Sequence, residues 1–403
     1  MIRHRFLITL IIIAAIFITA LSPAIPAYAK PLDNLLSHLD PTDSSGKGLL
    51  NLLLGLLVGN LLSKIINVIP GLSDSLGLPA SMKANGKDVL GFYAEWWDDD
   101  TSSYNSLNTH RDTLNCVVPF WATLQSDGSL ADRGGKDHKA VVKFANQNHI
   151  TALLMVNNAA QKPGNSGIHR VLASPRIRAT AVDNLETNLK KYKLDGINID
   201  FESVPPEDRE YLTAFMKELS ARLKPQGYII SVDVMPKTDE SNDISAAYDY
   251  RQLAKYADKI IVMAYDNHGE WSDAGPVAGI NWVEDNLKYA LQFIPKDKLY
   301  LGLAGYGYDW SGKGVESIDY PSIKELTTQF GVDPQWDEQS KSPYFHYTDA
   351  NDRPHTVWYE NSQSIGYKLA LVNQYDLAGV ALWKLGEEDP DDWGKIQDEL
   401  HKQ

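Results

Sequence analysis

From Asp88 to the C-terminus, apolar residues alternate between two rhythms. Short continuous runs recur at residues 89–95, 115–121, 151–157, 196–202, 228–235, 259–265, 298–304 and 379–383. Runs of this kind, rich in Val, Ile and Leu, belong to strands covered on both faces in a parallel sheet. Between them, apolar positions return every three or four residues, as Tyr211, Phe215 and Leu219 do. That spacing predicts helices over 138–149, 174–193, 207–224, 247–257, 281–293, 362–375 and 391–402. Eight strands alternating with helices predict an α/β fold, a (β/α)8 TIM barrel over residues 87–403. An open doubly wound sheet is the alternative, but no GxGxxG stands at a strand-to-helix turn to give it a nucleotide site. One connection is too long for a barrel loop: the stretch between Ala304 and Ser362 is rich in Tyr, Trp, Asp and Gly. It is expected to be a small insertion between strand seven and helix seven, at about 308–360, with its own fold and one wall of the active site.

The first 86 residues follow other rules. Arg3, His4 and Arg5 precede an apolar core from Phe6 to Leu21, and Ala27-Tyr28-Ala29 offers small residues for cleavage. This predicts a secretory signal peptide over 1–29, with an uncleaved anchor as the alternative. Residues 30–86 combine a Ser/Gly/Asp/Pro linker with a Leu-rich stretch, 49–69, whose one charge is Lys64. Asn51, Gly55, Gly59, Ser63 and Asn67 recur every four residues as a small and polar stripe on the expected helix. Such a helix would be about 30 Å long, near the thickness of a hydrocarbon core. Its Lys and Asn residues make a lone span costly, while the stripe would let two helices approach. The expectation is membrane or cell-surface association through residues 49–70 of a secreted or surface-held chain.

Net charge and cysteine content narrow the field. A charge of −14 and a pI near 5.2 argue against nucleic acid as a partner. The single cysteine, Cys116, excludes an internal disulfide framework and any multi-cysteine metal site, and its apolar surroundings suggest a small buried hydrophobe. The acidic tracts 98–100 and 389–392 lack the spaced ligands of a calcium loop and read as solvated loops. No metal or other cofactor is expected.

Candidate chemistry centres on Leu194 to Val204, LDGINIDFESV. Strand alternation turns Asn198, Asp200 and Glu202 to one face and Ile197, Ile199 and Phe201 to the other. Neighbouring carboxylates at i and i+2 raise each other's pKa, which suits acid–base work near neutral pH. Barrel enzymes carry catalytic groups at the C-terminal ends of their strands. That rule gathers Tyr93, Glu95 and Trp96 from strand one, Trp121 from strand two, and Asp233 and Met235 from strand five. Strand six adds Met263, Tyr265 and Asp266, and the last strand Trp383. Aromatic faces and carboxyl groups together suit a sugar and its glycosidic oxygen.

DGINIDFE matches the DxxDxDxE signature of glycoside hydrolase family 18, with Asn198 in place of the middle aspartate. MAYD at 263–266 looks like that family's MxYD motif, and GVALWKLG resembles its final strand. Over about 87–403 the chain thus resembles the chitinase-like barrels, and within them the bacterial N-acetylglucosaminidases of spore or vegetative peptidoglycan. The run YDNHGEWSDAGPVAGINWVEDNL carries that finer likeness, although the LysM wall-binding repeats common in such proteins are missing. The resemblance implies substrate-assisted, retaining hydrolysis of a GlcNAc-containing polysaccharide. Glu202 would be the general acid, Asp200 would hold the acetamido N–H, and Tyr265 would orient the acetamido oxygen. Asn198, which can hydrogen-bond Asp200, would bind substrate together with Tyr93, Trp121, Met263, Asp266 and Trp383. A chitinase, or a non-catalytic carbohydrate-binding barrel, are the alternative readings.

Overall fold

The computed structural model of the protein describes residues 86–135, 138–158, 167–241 and 243–400. The expected signal peptide and the Leu-rich helix with its stripe lie outside the described residues. Among those described, no helix is long and apolar enough to cross a membrane.

Eight parallel strands close on themselves. They are β1 (Asp88–Tyr93), β2 (Cys116–Leu124), β4 (Thr151–Asn158), β5 (Gly196–Asp200), β6 (Ile229–Val234), β7 (Lys259–Val262), β8 (Leu299–Ala304) and β14 (Gly379–Trp383). Closure is made by β1, which pairs with β2 on one side and β14 on the other. All eight coincide with the apolar runs. A short strand, β3 (Leu130–Asp132), folds back antiparallel on the end of β2.

The predicted helices are present as α2 (His138–Gln147), α4 (Pro175–Tyr192), α5 (Arg209–Leu223), α6 (Tyr250–Tyr256), α7 (Ile280–Ala290), α9 (Ser362–Gln374) and α10 (Asp392–Leu400). Their ends carry local signals. On α4, the Ser174 side chain accepts from the Ile177 amide, Pro175 opens the helix, and Lys193 closes it in the left-handed region. Two further helices, α1 (Ser102–Thr109) and α3 (Gly167–Ala173), were not anticipated, although α3 buries Ile168, Val171 and Leu172 at helical spacing. In α1 only Leu107 is a large buried apolar residue, and Ser103 docks instead through its hydroxyl on the Ala94 and Leu385 carbonyls.

Strand alternation divides the core. Ile197, Ile199, Phe201, Val232, Val262 and Leu301 point outward and pack under the helices. Leu90, Phe92, Cys116, Val118, Phe120, Leu153, Met155, Ile261, Tyr300 and Ala381 fill the barrel. Cys116 is buried there, and burial pushes its thiol pKa up. At Gly196, a Cβ would sit 2.1 Å from the Ile229 carbonyl oxygen, so β5 and β6 approach as closely as they do only with glycine there.

The insertion starts at Tyr306. Strands β9 (Tyr306–Ser311), β10 (Gly314–Asp319), β11 (Gln335–Asp337), β12 (Ser342–Thr348) and β13 (Pro354–Tyr359) form an antiparallel sheet in the order β10-β9-β13-β12-β11. One face carries α8 (Tyr320–Phe330), whose Ile323 packs on Phe345, Tyr347, Val357 and Tyr359. The other presents Tyr306, Tyr308 and Trp310, alternate residues of β9, to Tyr265 and Trp383 at the barrel mouth. The acidic tracts are not wholly solvated, as Asp100, Asp389 and Asp392 are buried. Asp100 organises its turn by accepting from the Trp96 and Ser102 amides, and Asp389 does the same for Ser362 and Asp391.

Candidate active site

The LDGINIDFESV strand ends earlier than its sequence pattern suggests. The ladder of β5 stops at Asp200, so the peptides that follow need other partners. The Tyr248 hydroxyl donates to the Phe201 carbonyl at 2.5 Å. The side-chain amide of Asn158, at the end of β4, grips Glu202 from both sides. Its oxygen accepts from the Glu202 amide at 2.8 Å, and its nitrogen donates to the Glu202 carbonyl at 2.9 Å. Ser203 then turns away in the left-handed region with φ of 50°. Glu202 is therefore held at its backbone while its side chain is exposed at the mouth. Burial of the surroundings and the nearby Asp266 charge raise its carboxyl pKa above the usual carboxylate range.

Behind it stand groups of restricted access. Asp200 is buried, and burial, then Glu202 and Asp233, push its pKa well up. Asp233, on β6, is also raised by burial and by Glu202, against the pull of a hydrogen bond from Asn198. Asn198 does not bond Asp200 as anticipated. Its amide donates to Asp233 Oδ1 at 2.8 Å and to Ser231 Oγ at 3.1 Å, because Asn198 and Ser231 are register partners on adjacent strands. Its own Oδ1 has no partner among the described residues.

Tyr265 and Asp266 follow β7. Tyr265 fits against Gly302, where a Cβ would approach the Tyr265 ring to 2.9 Å. Burial and the surrounding carboxylates hold the Tyr265 phenol well above its ordinary pKa, so it stays a neutral donor. Asp266 lies in the left-handed region and accepts from Tyr306 at 2.5 Å and Tyr308 at 2.9 Å, both from the insertion. Met263 is buried beside them. Trp383 is half-buried, with its ring centroid 5.3 Å from Phe92, 6.1 Å from Phe120 and 6.4 Å from Trp96.

Two expected substrate contacts lie elsewhere. Tyr93 and Trp121 point outward into the core beneath the helices. The Tyr93 hydroxyl donates to Glu95 at 3.0 Å, and Trp121 stacks on His138 at 4.0 Å. Met235 likewise packs against that outer core. In strands buried on both sides, every position is apolar and the run does not say which face a residue takes. The adjacent Phe92 and Phe120 occupy the inner face instead. Asn198, Asp200, Glu202, Met263, Tyr265, Asp266 and Trp383 are brought to the C-terminal mouth. Asn158, Ser231, Tyr248, Tyr306 and Tyr308 were not anticipated; the alternation of Tyr306, Tyr308 and Trp310 was the one visible sign of them.

A carboxyl of raised pKa over an aromatic floor, backed by a buried acid and a neutral phenol, can deliver a proton to a sugar's bridging oxygen. Glycosyl hydrolases family 18 is matched over residues 88–388. The chain belongs to that family. Among family relatives, it is 32% identical over 317 residues to the uncharacterized glycosylase YvbX of Bacillus subtilis, covering 77% of this chain and 91% of the relative. The spore cortex-lytic enzyme SleL of Bacillus megaterium superposes with a TM-score of 0.71 at 27% identity, over 78% of this chain and 74% of that one. A chitinase from Chromobacterium violaceum gives 0.72 at 30% identity, over 79% of this chain and all of that one. This family 18 glycosidase is thus related both to cortex-lytic enzymes and to chitinases.

Proposed function

We propose that the protein hydrolyses β-linked N-acetylglucosamine glycans, peptidoglycan above all, with retention of configuration and with the substrate's own acetamido group as nucleophile. The observation that carries this reading is Glu202, clamped by Asn158 with a raised pKa in front of the buried Asp200. In the first step the acetamido carbonyl oxygen attacks the anomeric carbon while Glu202 gives its proton to the departing oxygen. Asp200 takes up the acetamido N–H as the ring becomes positively charged, and the Tyr265 hydroxyl orients the carbonyl oxygen. In the second step Glu202, now a carboxylate, removes a proton from water, and the resulting hydroxide opens the cyclic intermediate. Trp383 supplies the floor for the reacting sugar, with Met263 and Asp266 at its sides. The relation to SleL supports peptidoglycan as the glycan. The Arg3–Arg5 stretch, apolar core and Ala27-Tyr28-Ala29 support export, with residues 49–70 retaining the chain at the cell surface.

The test is a parallel digest of purified peptidoglycan and chitooligosaccharides, with new reducing ends identified by mass spectrometry. New GlcNAc reducing ends on peptidoglycan, formed with β configuration by NMR and blocked by a GlcNAc-thiazoline, are expected. Inverted product rejects the mechanism, and much faster turnover of chitooligosaccharides replaces the substrate.

A further inference from the structure

One cation at the mouth has no place in that mechanism. Arg133 lies just beyond β3, and its guanidinium carbon is 3.8 Å from the centroid of the Phe120 ring. Phe120 belongs to the inner face of the barrel and meets Trp96 edge-on at 6.4 Å and Trp383 at 6.1 Å. Arg133 therefore caps the same aromatic platform that ends in Trp383. Its backbone is fixed, with the Arg133 amide donating to the Trp121 carbonyl at 2.8 Å. Its side chain is exposed.

Several arginines, Arg251 over Phe293 among them, pair with no carboxylate among the described residues, but Arg133 is the one seen on this platform. Arg178, Arg209, Arg222 and Arg353 each engage a carboxylate. Arg133 engages none among the described residues, in a chain of net charge −14. The other cation near the platform, Lys384, lies 5.5 Å from the Trp96 ring, is fully buried and is already paired with Glu387. The mouth gathers four carboxyl groups, Glu202, Asp200, Asp233 and Asp266, and whichever of them is ionised repels an anion, so an acidic substrate gains from a compensating cation near where it docks. A guanidinium stacked on an aromatic ring keeps its N–H edges free and pre-oriented for bidentate contact with a carboxylate. A neutral N-acetylglucosamine polymer has no group for it. In peptidoglycan every second sugar carries a lactyl ether whose carboxyl is free or extended by an acidic peptide.

We infer that Arg133 is a specificity-determining residue that binds a carboxylate of the lactyl ether or its peptide, favouring acidic over neutral glycans. The inference rests on the glycosidase reading above. It is tested with the full chain and its Arg133→Ala and Arg133→Lys variants. The probes are peptidoglycan glycan fragments with free carboxyls, the same fragments with carboxyls converted to methyl amides, and chitotetraose. The expected result is a fall of about tenfold or more in the ratio of kcat/KM on free-acid fragments to that on chitotetraose for Arg133→Ala, carried mainly by KM. Amidation should cost the wild type a similar factor and leave Arg133→Ala indifferent, while Arg133→Lys should fall between and lose its advantage at high salt. An equal fall on acidic and neutral substrates overturns the inference, since Arg133 would then act only by packing on Phe120. Wild-type and Arg133→Ala enzymes with the same selectivity overturn it while leaving the peptidoglycan reading standing. Wild-type turnover of chitotetraose without any of the acidic fragments overturns both.

Discussion

Replacing Asn158 by alanine should cripple proton delivery without touching the acid itself. The side chain holds both polar groups of the Glu202 peptide, at 2.8 and 2.9 Å, in the segment where the β5 ladder has already ended. Each such bond contributes about 0.5–1.5 kcal/mol, so the pair supplies roughly 1–3 kcal/mol toward holding the acid in place. At about 1.4 kcal/mol per decade, losing that restraint costs about tenfold to a hundredfold in rate, similar to the cost of an ångström of misplacement. The assay compares two glycosides with the same glycone, one with an unactivated sugar leaving group and one with dinitrophenol. Only the first depends strongly on protonation as the leaving group departs, so kcat/KM should fall by about tenfold to a hundredfold there and by no more than a few-fold on the aryl glycoside. Asn158→Asp can still accept from the Glu202 amide but cannot donate to its carbonyl. Its added negative charge should also move the alkaline limb of the pH profile upward. Equal losses on both substrates, in variants whose thermal transition is that of the wild type, would refute the positioning role.

Three further outcomes follow from the carboxyl groups. Glu202→Gln should lower kcat on an unactivated glycoside by at least about a hundredfold with the fold retained by circular dichroism, and near wild-type turnover would reject Glu202 as proton donor. Because its pKa is raised, wild-type kcat should decline as pH rises through that value, and any residual activity of Glu202→Gln should lack this limb. Asp233 has a folded pKa above its unfolded value, so its protonated form favours folding. That contribution is fully present below about pH 4, the unfolded carboxyl range, and is lost as pH rises through the folded pKa. Asp233→Asn should therefore raise Tm at pH 7 by about 1–3 °C, with the gain shrinking toward pH 4 in calorimetric scans, while activity falls.

The barrel was legible because its strands are buried on both sides and leave uninterrupted apolar runs, each flanked by amphipathic helices. The same feature hid which way individual residues face. Tyr93 and Trp121 sit in runs where neighbours on both sides are apolar, and only the closed sheet shows that Phe92 and Phe120 look inward. Where a strand carries polar residues, the alternation was readable: Asn198 and Asp200 are inside, and Ile197, Ile199 and Phe201 outside. Contacts between elements distant in sequence left no trace beyond the alternation of Tyr306, Tyr308 and Trp310. Nothing around Asn158 announces the peptide of Glu202, and nothing in the insertion announces Asp266. The helix α1 was invisible for a different reason, since it docks through a serine hydroxyl instead of an apolar stripe.

These unforeseen contacts connect into one electrostatic chain that ends at the acid. An aspartate at position 198 would stand against Asp233, and one of the two would have to hold a proton. Asn198 donates to Asp233 without titrating, so the protons taken up by the buried cluster are left to Asp200, Asp233 and Glu202. The pKa of Glu202 is then raised first by the buried surroundings of its carboxyl and next by the charge on Asp266. Asp266 is itself pushed up by burial, but the hydroxyls of Tyr306 and Tyr308 favour its charged form. The insertion thus acts on the chemistry through charge as well as shape. By favouring the charged form of Asp266 it strengthens one of the causes that raise the Glu202 pKa, and a protonated Glu202 is the state in which a glycosidic oxygen can be expelled.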